Sequence, residues 1–282
     1  MSQIPNIKTN KKITAPLIRG LKHKRIISML TAYDYPTAKL IDQSEIDMIL
    51  VGDSVATVLY GEPDTLSVTM EDMIRHTKSV SKAVESALVI ADMPFMSYQV
   101  SAEQAVTNAG RLLKEAKAHA VKLEGGLEVY ETVKKITQAG IPVMGHIGLT
   151  PQSIHAQGRY RMHGKETVEQ QYLITSAKKL EEAGCFCVVL ECVDQSLAKE
   201  ITQLLEIPTI GIGSGKFCDG QVLVTQDLLG MTLGHVPRFV EQTANLKEQI
   251  QQGIVAFKKR NEAARTETSI HVVSEQSTVL PI

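Results

Sequence analysis

The sequence predicts an α/β protein whose parallel strands close into an eight-stranded (β/α)8 barrel of the TIM type. Three observations carry that expectation. Apolar, strand-like runs alternate with helix-like segments along the 282 residues, the pattern of parallel strands joined by crossover helices. Eight such units favour a closed barrel over an open sheet, and a chain of this length is ordinary for one barrel domain. No glycine fingerprint follows the first strand. Gly211-Ile-Gly213-Ser-Gly215 comes late and lacks the G-x-G-x-x-G spacing of a dinucleotide-binding sheet. We expect one catalytic domain over residues 1–259, with an N-terminal capping helix, and a polar, poorly ordered C-terminal tail over 260–282.

The elements follow in order. Thr14-Ala-Pro16 starts a basic capping helix, with proline in the first turn where its missing N–H costs nothing. Strands are predicted at 26–30, 47–51, 87–91, 119–124, 142–146, 186–190, 208–212 and 221–225. Glu71 and Asp72 sit in the first turn of a helix from about Thr69, Ser101 with Gln104 forms a capping box, and Asp194 caps a helix over 195–205. Two long connections, 55–68 and 147–165, exceed what a compact barrel needs, and such loops usually serve function. The link between strands seven and eight is too short for a normal crossover helix, so a turn is expected there. An amphipathic segment over 236–259 closes the domain.

Composition excludes several classes. A net charge of -1 lacks the basic excess of nucleic-acid-binding domains. No apolar run approaches the ~20 residues needed to cross a bilayer, so a soluble protein without membrane partners is expected. Cys185, Cys187, Cys192 and Cys218 lack zinc-type spacing and read as buried thiols. Seven Lys or Arg precede the first acid, Asp34, but serine is scarce and a capping helix suits the segment better than a transit peptide.

The chemistry gathers at strand ends. Asp53, Asp92 and Glu124 close consecutive strands two, three and four, which are neighbours on one rim of a barrel. Lys122 and Glu124 share a strand face because side chains alternate. At ~4 Å and an effective dielectric near ~20, each pair of carboxylates repels by roughly 4 kcal/mol. Protonation of one acid, the ammonium of Lys122, or a bound divalent cation can offset that. All-oxygen ligation selects Mg²⁺ before Zn²⁺. Glu191 ends strand six across the rim, set apart as a carboxylate that suits proton abstraction. His146 ends strand five, where it can orient a substrate or hydrogen-bond a carboxylate. Arg159, Arg161 and Lys165 either meet an anionic substrate or form a solvated loop face. A metal beside a lysine and a remote base suits enolate formation from a 2-oxo acid, followed by carbon–carbon bond formation.

These residues lie in ordered blocks: Thr31-Ala-Tyr-Asp-Tyr35, Val51-Gly-Asp-Ser54, Ala91-Asp-Met-Pro-Phe95, Val121-Lys-Leu-Glu-Gly-Gly126, Gly145-His-Ile-Gly-Leu-Thr-Pro-Gln152, Val189-Leu-Glu-Cys192, Gly211-Ile-Gly-Ser-Gly215 and Asp219-Gly-Gln-Val-Leu223. Together, from about Ile13 to Phe257, they resemble the ketopantoate hydroxymethyltransferase family. The resemblance implies a TIM barrel that binds Mg²⁺ through Asp53 and Asp92, with Glu124 completing the site directly or through water. It implies contacts from Asp53, Ser54, Asp92 and Lys122 to 3-methyl-2-oxobutanoate, with Glu191 as proton acceptor. The co-substrate implied is 5,10-methylenetetrahydrofolate, the product 2-dehydropantoate, the pathway pantothenate biosynthesis, and the assembly a cytoplasmic homodecamer. Two other readings stand beside it: a Mg²⁺ enolate enzyme of the phosphoenolpyruvate mutase and isocitrate lyase type, and a barrel that binds without chemistry.

Overall fold

The computed structural model describes residues 12–276, with side chains through Arg265. Its contacts divide the chain into two compact units, one ending at Thr225 and one beginning at Gln226. The expected single domain ran on to 259.

The first unit is a closed, all-parallel barrel with strand order β1 to β8. The strands are β1 (Ile27–Thr31), β2 (Met48–Val51), β3 (Leu88–Asp92), β4 (Ala120–Glu124), β5 (Val143–Gly148), β6 (Cys187–Glu191), β7 (Thr209–Ile212) and β8 (Gly220–Leu223). Helices α1 (Ala15–Arg19), α2 (Tyr35–Gln43), α3 (Met70–Ala83), α4 (Ala102–Lys114), α5 (Tyr130–Gln138), α6 (Ile154–Gln157), α7 (Thr167–Glu182) and α8 (Gln195–Leu204) alternate with them. Register runs smoothly around the circle: Asp92 pairs with Lys122, Glu124 with His146, and Glu191 with both Gly148 and Ile212.

Local signals explain most helix ends. The Thr14 side chain accepts from Leu17 N–H to start α1. Thr69 and Asp72 form a reciprocal capping box on α3. Ser101 caps α4 by accepting from Gln104 N–H, and Asp194 caps α8. The 55–68 connection contains a π-helical turn over Ala56–Tyr60 closed by Gly61 at φ 74°, a conformation glycine adopts freely. As expected, no helix separates β7 from β8; seven residues of turns carry the crossover.

Alternation along each strand sorts the core into two layers. Val89 and Ala91 of β3, Val121 and Leu123 of β4, and Val188 and Leu190 of β6 pack outward with the helices. Leu88 and Ile90, Ala120, and Cys187 and Val189 belong to the cluster that fills the barrel. The next inward position on each of these strands is polar: Asp92, Lys122 and Glu124, Glu191. The apolar plug therefore ends where the charged residues begin.

The second unit carries α9 (Thr225–Leu228, whose first residue ends the first unit) and α10 (Leu246–Gln276). The helix expected from 236 starts only at Leu246, because Pro237 sits in a turn and Asn245 caps the later start by accepting from Glu248 N–H. Beyond 259, where a loose tail is expected, α10 continues as far as Gln276. Its Lys, Arg, Glu, Gln and Ala content suits a helix without requiring one apolar stripe. Residues 277–282 of the expected tail lie outside the described residues. No described helix is long and apolar enough to cross a membrane.

Candidate active site

At the C-terminal end of the barrel, a cavity of about 120 Å³ is lined by Asp53, Ser54, Asp92, Lys122, Glu124, His146 and Glu191. All the residues predicted for the site are thus brought to one place. Leu50, Val189, Ile212 and Val222 supply an apolar wall.

Short range decides how the acids meet. Gly52 lets the chain turn after β2, since a Cβ there would stand 2.7 Å from Ser54 Oγ and 3.5 Å from Asp92 Oδ2. The turn aims Asp53 N–H at Asp92 Oδ2, 3.1 Å away. Ser54 Oγ is held by Tyr33 OH at 2.8 Å. Lys122 Nζ lies 2.9 Å from Asp92 Oδ1 and 4.0 Å from Glu124 Oε1. Asp53, Asp92, Lys122, Glu124 and His146 are each no more than 5 % exposed.

Three buried carboxylates thus share one ammonium, an excess of two negative charges if all ionise. Burial raises the pKa of Asp53 and Glu124, and Lys122 opposes the rise only in part. Burial likewise lifts Asp92 to about 7, against the pull of Lys122. The surrounding acids more than offset the burial of Lys122 and hold its ammonium charged. Protons or a cation must complete this charge balance.

No group of three His, Cys, Asp or Glu side chains among the described residues is arranged to hold a metal ion alone. Gln152 bonds to both Asp53, through its side chain, and Glu124, through its backbone N–H. The residues present fit a divalent cation of another style. Mg²⁺ characteristically binds through one or two carboxylates and keeps water or substrate oxygens in its remaining positions, and adjacent Asp53 and Asp92 supply such a pair.

His146 links this cluster to Glu191. Its Nδ1 is 3.1 Å from Lys122 Nζ and its Nε2 is 3.2 Å from Glu191 Oε2. An ammonium only donates, so Nδ1 accepts and the ring proton resides on Nε2, which lies beside Glu191 without a completed hydrogen bond. Burial and nearby Lys122 lower the His146 pKa, keeping the ring neutral. Glu191 is anchored through its backbone, its carbonyl accepting from Leu149 N–H at 2.8 Å. The next residue, Cys192, takes φ 49°, an uncommon conformation for a side-chain-bearing residue, and Ser214 Oγ braces the segment through Leu190 O and Val193 N–H.

Arg161 pairs with Glu169 at 2.7 Å, and the same carboxylate accepts from Gly164 N–H and approaches His163. Arg161 is therefore engaged in folding its own loop. Gln152 and Tyr98 had no role assigned from sequence. Both lie in connections, where no periodicity announces a direction; the only signal was the position of Gln152 at the end of the 145–152 block.

The ketopantoate hydroxymethyltransferase family model matches residues 12–265. The chain belongs to that family. Among relatives, 3-methyl-2-oxobutanoate hydroxymethyltransferase of Thermoanaerobacter sp. (strain X514) is 55% identical over 249 residues, covering 88% of this chain and 91% of the relative. The enzyme of the same name from Syntrophomonas wolfei is 50% identical over 270 residues, covering 95% and 98%. Family membership at this identity makes the chain an enzyme, a hydroxymethyltransferase of ketopantoate type, and implies a part in pantothenate biosynthesis. The barrel also resembles phosphonopyruvate hydrolase solved with oxalate and Mg²⁺ (TM-score 0.58, 13% identity, 96% of this chain and 92% of that one). A 2,3-dimethylmalate lyase of the PEP mutase/isocitrate lyase superfamily is similar (TM-score 0.57, 14% identity, 91% and 89%). At such identities these two neighbours share the fold.

Proposed function

We propose that the chain moves a one-carbon unit from 5,10-methylenetetrahydrofolate to C3 of 3-methyl-2-oxobutanoate, giving 2-dehydropantoate, by way of an enolate formed in the barrel mouth. The observation that carries this reading is one small cavity holding an acid pair with its lysine on one side and Glu191 on the other. Its apolar wall of Leu50, Val189, Ile212 and Val222 suits the branched end of the substrate, and Lys122 suits its carboxylate.

Asp53 and Asp92 would hold Mg²⁺, with Glu124 contributing through water, and the ion would draw negative charge onto the keto oxygen as it develops. Mg²⁺ accompanies oxalate in the phosphonopyruvate hydrolase neighbour, which supports the choice of ion. Asp53, Ser54, Asp92 and Lys122 position the 2-oxo acid. Glu191 takes the C3 proton, and neutral His146, whose Nε2 stands 3.2 Å from that carboxylate, steadies it before transfer once its N–H aligns. The enolate carbon then bonds to the one-carbon unit and water supplies the hydroxyl oxygen as the two C–N bonds to the folate break; the folate nitrogens take up the proton removed from C3 and one from the water, and tetrahydrofolate departs. Cytoplasmic location and assembly as a homodecamer belong to the same reading and rest on the family; light scattering of the purified protein measures the latter.

The direct test is turnover of 3-methyl-2-oxobutanoate with Mg²⁺, with and without methylenetetrahydrofolate. We expect 2-dehydropantoate only when the folate is present. Cleavage of a 2-oxo or malate-type acid without folate would reject the transferase reading in favour of a lyase.

A further inference from the structure

Gln152 is the hub of the acid cluster, and every polar atom of its side chain is committed. Nε2 donates to Asp53 Oδ2 at 2.8 Å and to Met93 O at 2.9 Å. Oε1 accepts from Tyr98 OH at 2.7 Å, and the backbone N–H of Gln152 donates to Glu124 Oε2 at 3.0 Å. One residue from the connection after β5 therefore touches the ends of β2, β3 and β4, the three strands that deliver the acids. It is 3 % exposed and Tyr98 is 2 % exposed, so water does not compete for these bonds.

The orientation of the amide has one solution. Turned over, its oxygen would face both the Asp53 carboxylate and the Met93 carbonyl, acceptor against acceptor, and its nitrogen would displace the Tyr98 proton. Asp53 and Met93 therefore fix the amide, and Tyr98 supports it: its hydroxyl accepts from Glu124 N–H at 3.2 Å, and its single proton has Gln152 Oε1 at 2.7 Å and Glu124 O at 3.1 Å within reach, the shorter contact being to Gln152.

We propose that Gln152, supported by Tyr98, is a positioning residue that sets the angle of the Asp53 carboxylate and the spacing of Asp53 from Glu124, and so tunes affinity for the cation and the 2-oxo acid. This rests on the Mg²⁺ reading of the site. Partners that orient a ligating carboxylate are typically worth about 10–100-fold in metal affinity or activity. A glutamine that merely ties a loop would affect folding alone.

The experiment compares the parent chain with Gln152→Met and Tyr98→Phe. Mg²⁺ binding is measured by calorimetry, KM and kcat for 3-methyl-2-oxobutanoate by steady-state kinetics, and Tm by thermal melting. Gln152→Met is expected to weaken Mg²⁺ binding about 10–100-fold, raise KM and lower kcat. Tyr98→Phe, which removes one oxygen and keeps the ring, should move the same quantities in the same direction by a smaller factor, and it decides the matter if the first variant does not fold. Parent-like Mg²⁺ affinity, KM and kcat in the folded variants, with only Tm reduced, would overturn the proposal. If the parent itself binds no Mg²⁺, the cation reading fails, and the kinetics then judge Gln152: unchanged KM and kcat in both variants reject its role, and changed values uphold it toward the substrate.

Discussion

The two ends of the barrel use the same residue types to opposite effect. At the N-terminal end two buried carboxylates, Asp47 and Asp219, each have their own cation. Asp47 accepts from Arg25 Nη1 at 2.8 Å, from Ser28 N–H at 2.9 Å and from Ser28 Oγ at 3.0 Å. Burial would raise its pKa, but these bonds outweigh burial and hold it below the ordinary carboxylate value. Asp219 likewise meets buried Lys22 at 2.8 Å and Thr209 N–H at 2.9 Å. At the C-terminal end, Asp53, Asp92 and Glu124 crowd around Lys122 alone, and their pKa values rise. Matched charges serve folding; the unmatched cluster needs protons or a cation to complete its charge balance, which marks it as the candidate site.

The sharpest test of that contrast is at the rim. Glu191→Gln should cut proton exchange at C3 of 3-methyl-2-oxobutanoate by roughly 10³-fold, the usual worth of a positioned base, while the 2-oxo acid still binds. NMR in D₂O with Mg²⁺ and no folate reads it; exchange at the parent rate would remove Glu191 from the mechanism. Asp219→Ala should act oppositely. Stranding buried Lys22 is expected to cost about 3–5 kcal/mol in denaturant unfolding, with kcat/KM of the folded enzyme unchanged. A loss of activity at parent stability would break the division between the two ends.

Smaller effects sharpen it. Asp53→Ala and Asp92→Ala should each weaken Mg²⁺ by more than the roughly 100-fold ceiling of indirect partners, measured by calorimetry. Next comes pH. Asp92, raised to about 7, keeps a proton that the unfolded chain has lost, so its contribution to stability falls as pH rises from about 4 to about 7, and the raised pKa values of Asp53 and Glu124 act in the same direction. Asp47, held low, contributes above about 4 and loses that contribution in more acid solution. Mg²⁺ at ~100 times its Kd should add about 2.7 kcal/mol, near 5–10 °C in Tm, at pH 8, and clearly less at pH 5.5, where protons occupy the rim. An equal gain at both pH values would contradict the charge imbalance. Smallest of all, Glu124→Gln without metal should leave Tm unchanged or slightly higher, because a neutral amide replaces a carboxyl whose anion burial already disfavours and keeps the bond from Gln152 N–H.

Strand ends were the most legible part of this chain. A two-residue period with an acid closing Met48–Asp53, Leu88–Asp92 and Cys187–Glu191 already implied a shared rim, because parallel strands in a barrel finish together. His146 and Lys122 followed from the same phase. Asp219 shows the limit: it belongs to a family-like block, yet it stands at the opposite end and pairs with Lys22. Motif membership does not separate chemistry from stability.

By itself, the sequence determined the closed parallel barrel, the inward phase of each strand and the identity of the acids, since local periodicity encodes all three. Only the folded chain decided that the acids outnumber their cation, that His146 joins Lys122 to Glu191, and that Gln152 stands between Asp53 and Glu124. Those facts depend on contacts between residues 24 to 99 positions apart in loops and strand ends. No local pattern in a linear chain records the directions in which such side chains meet.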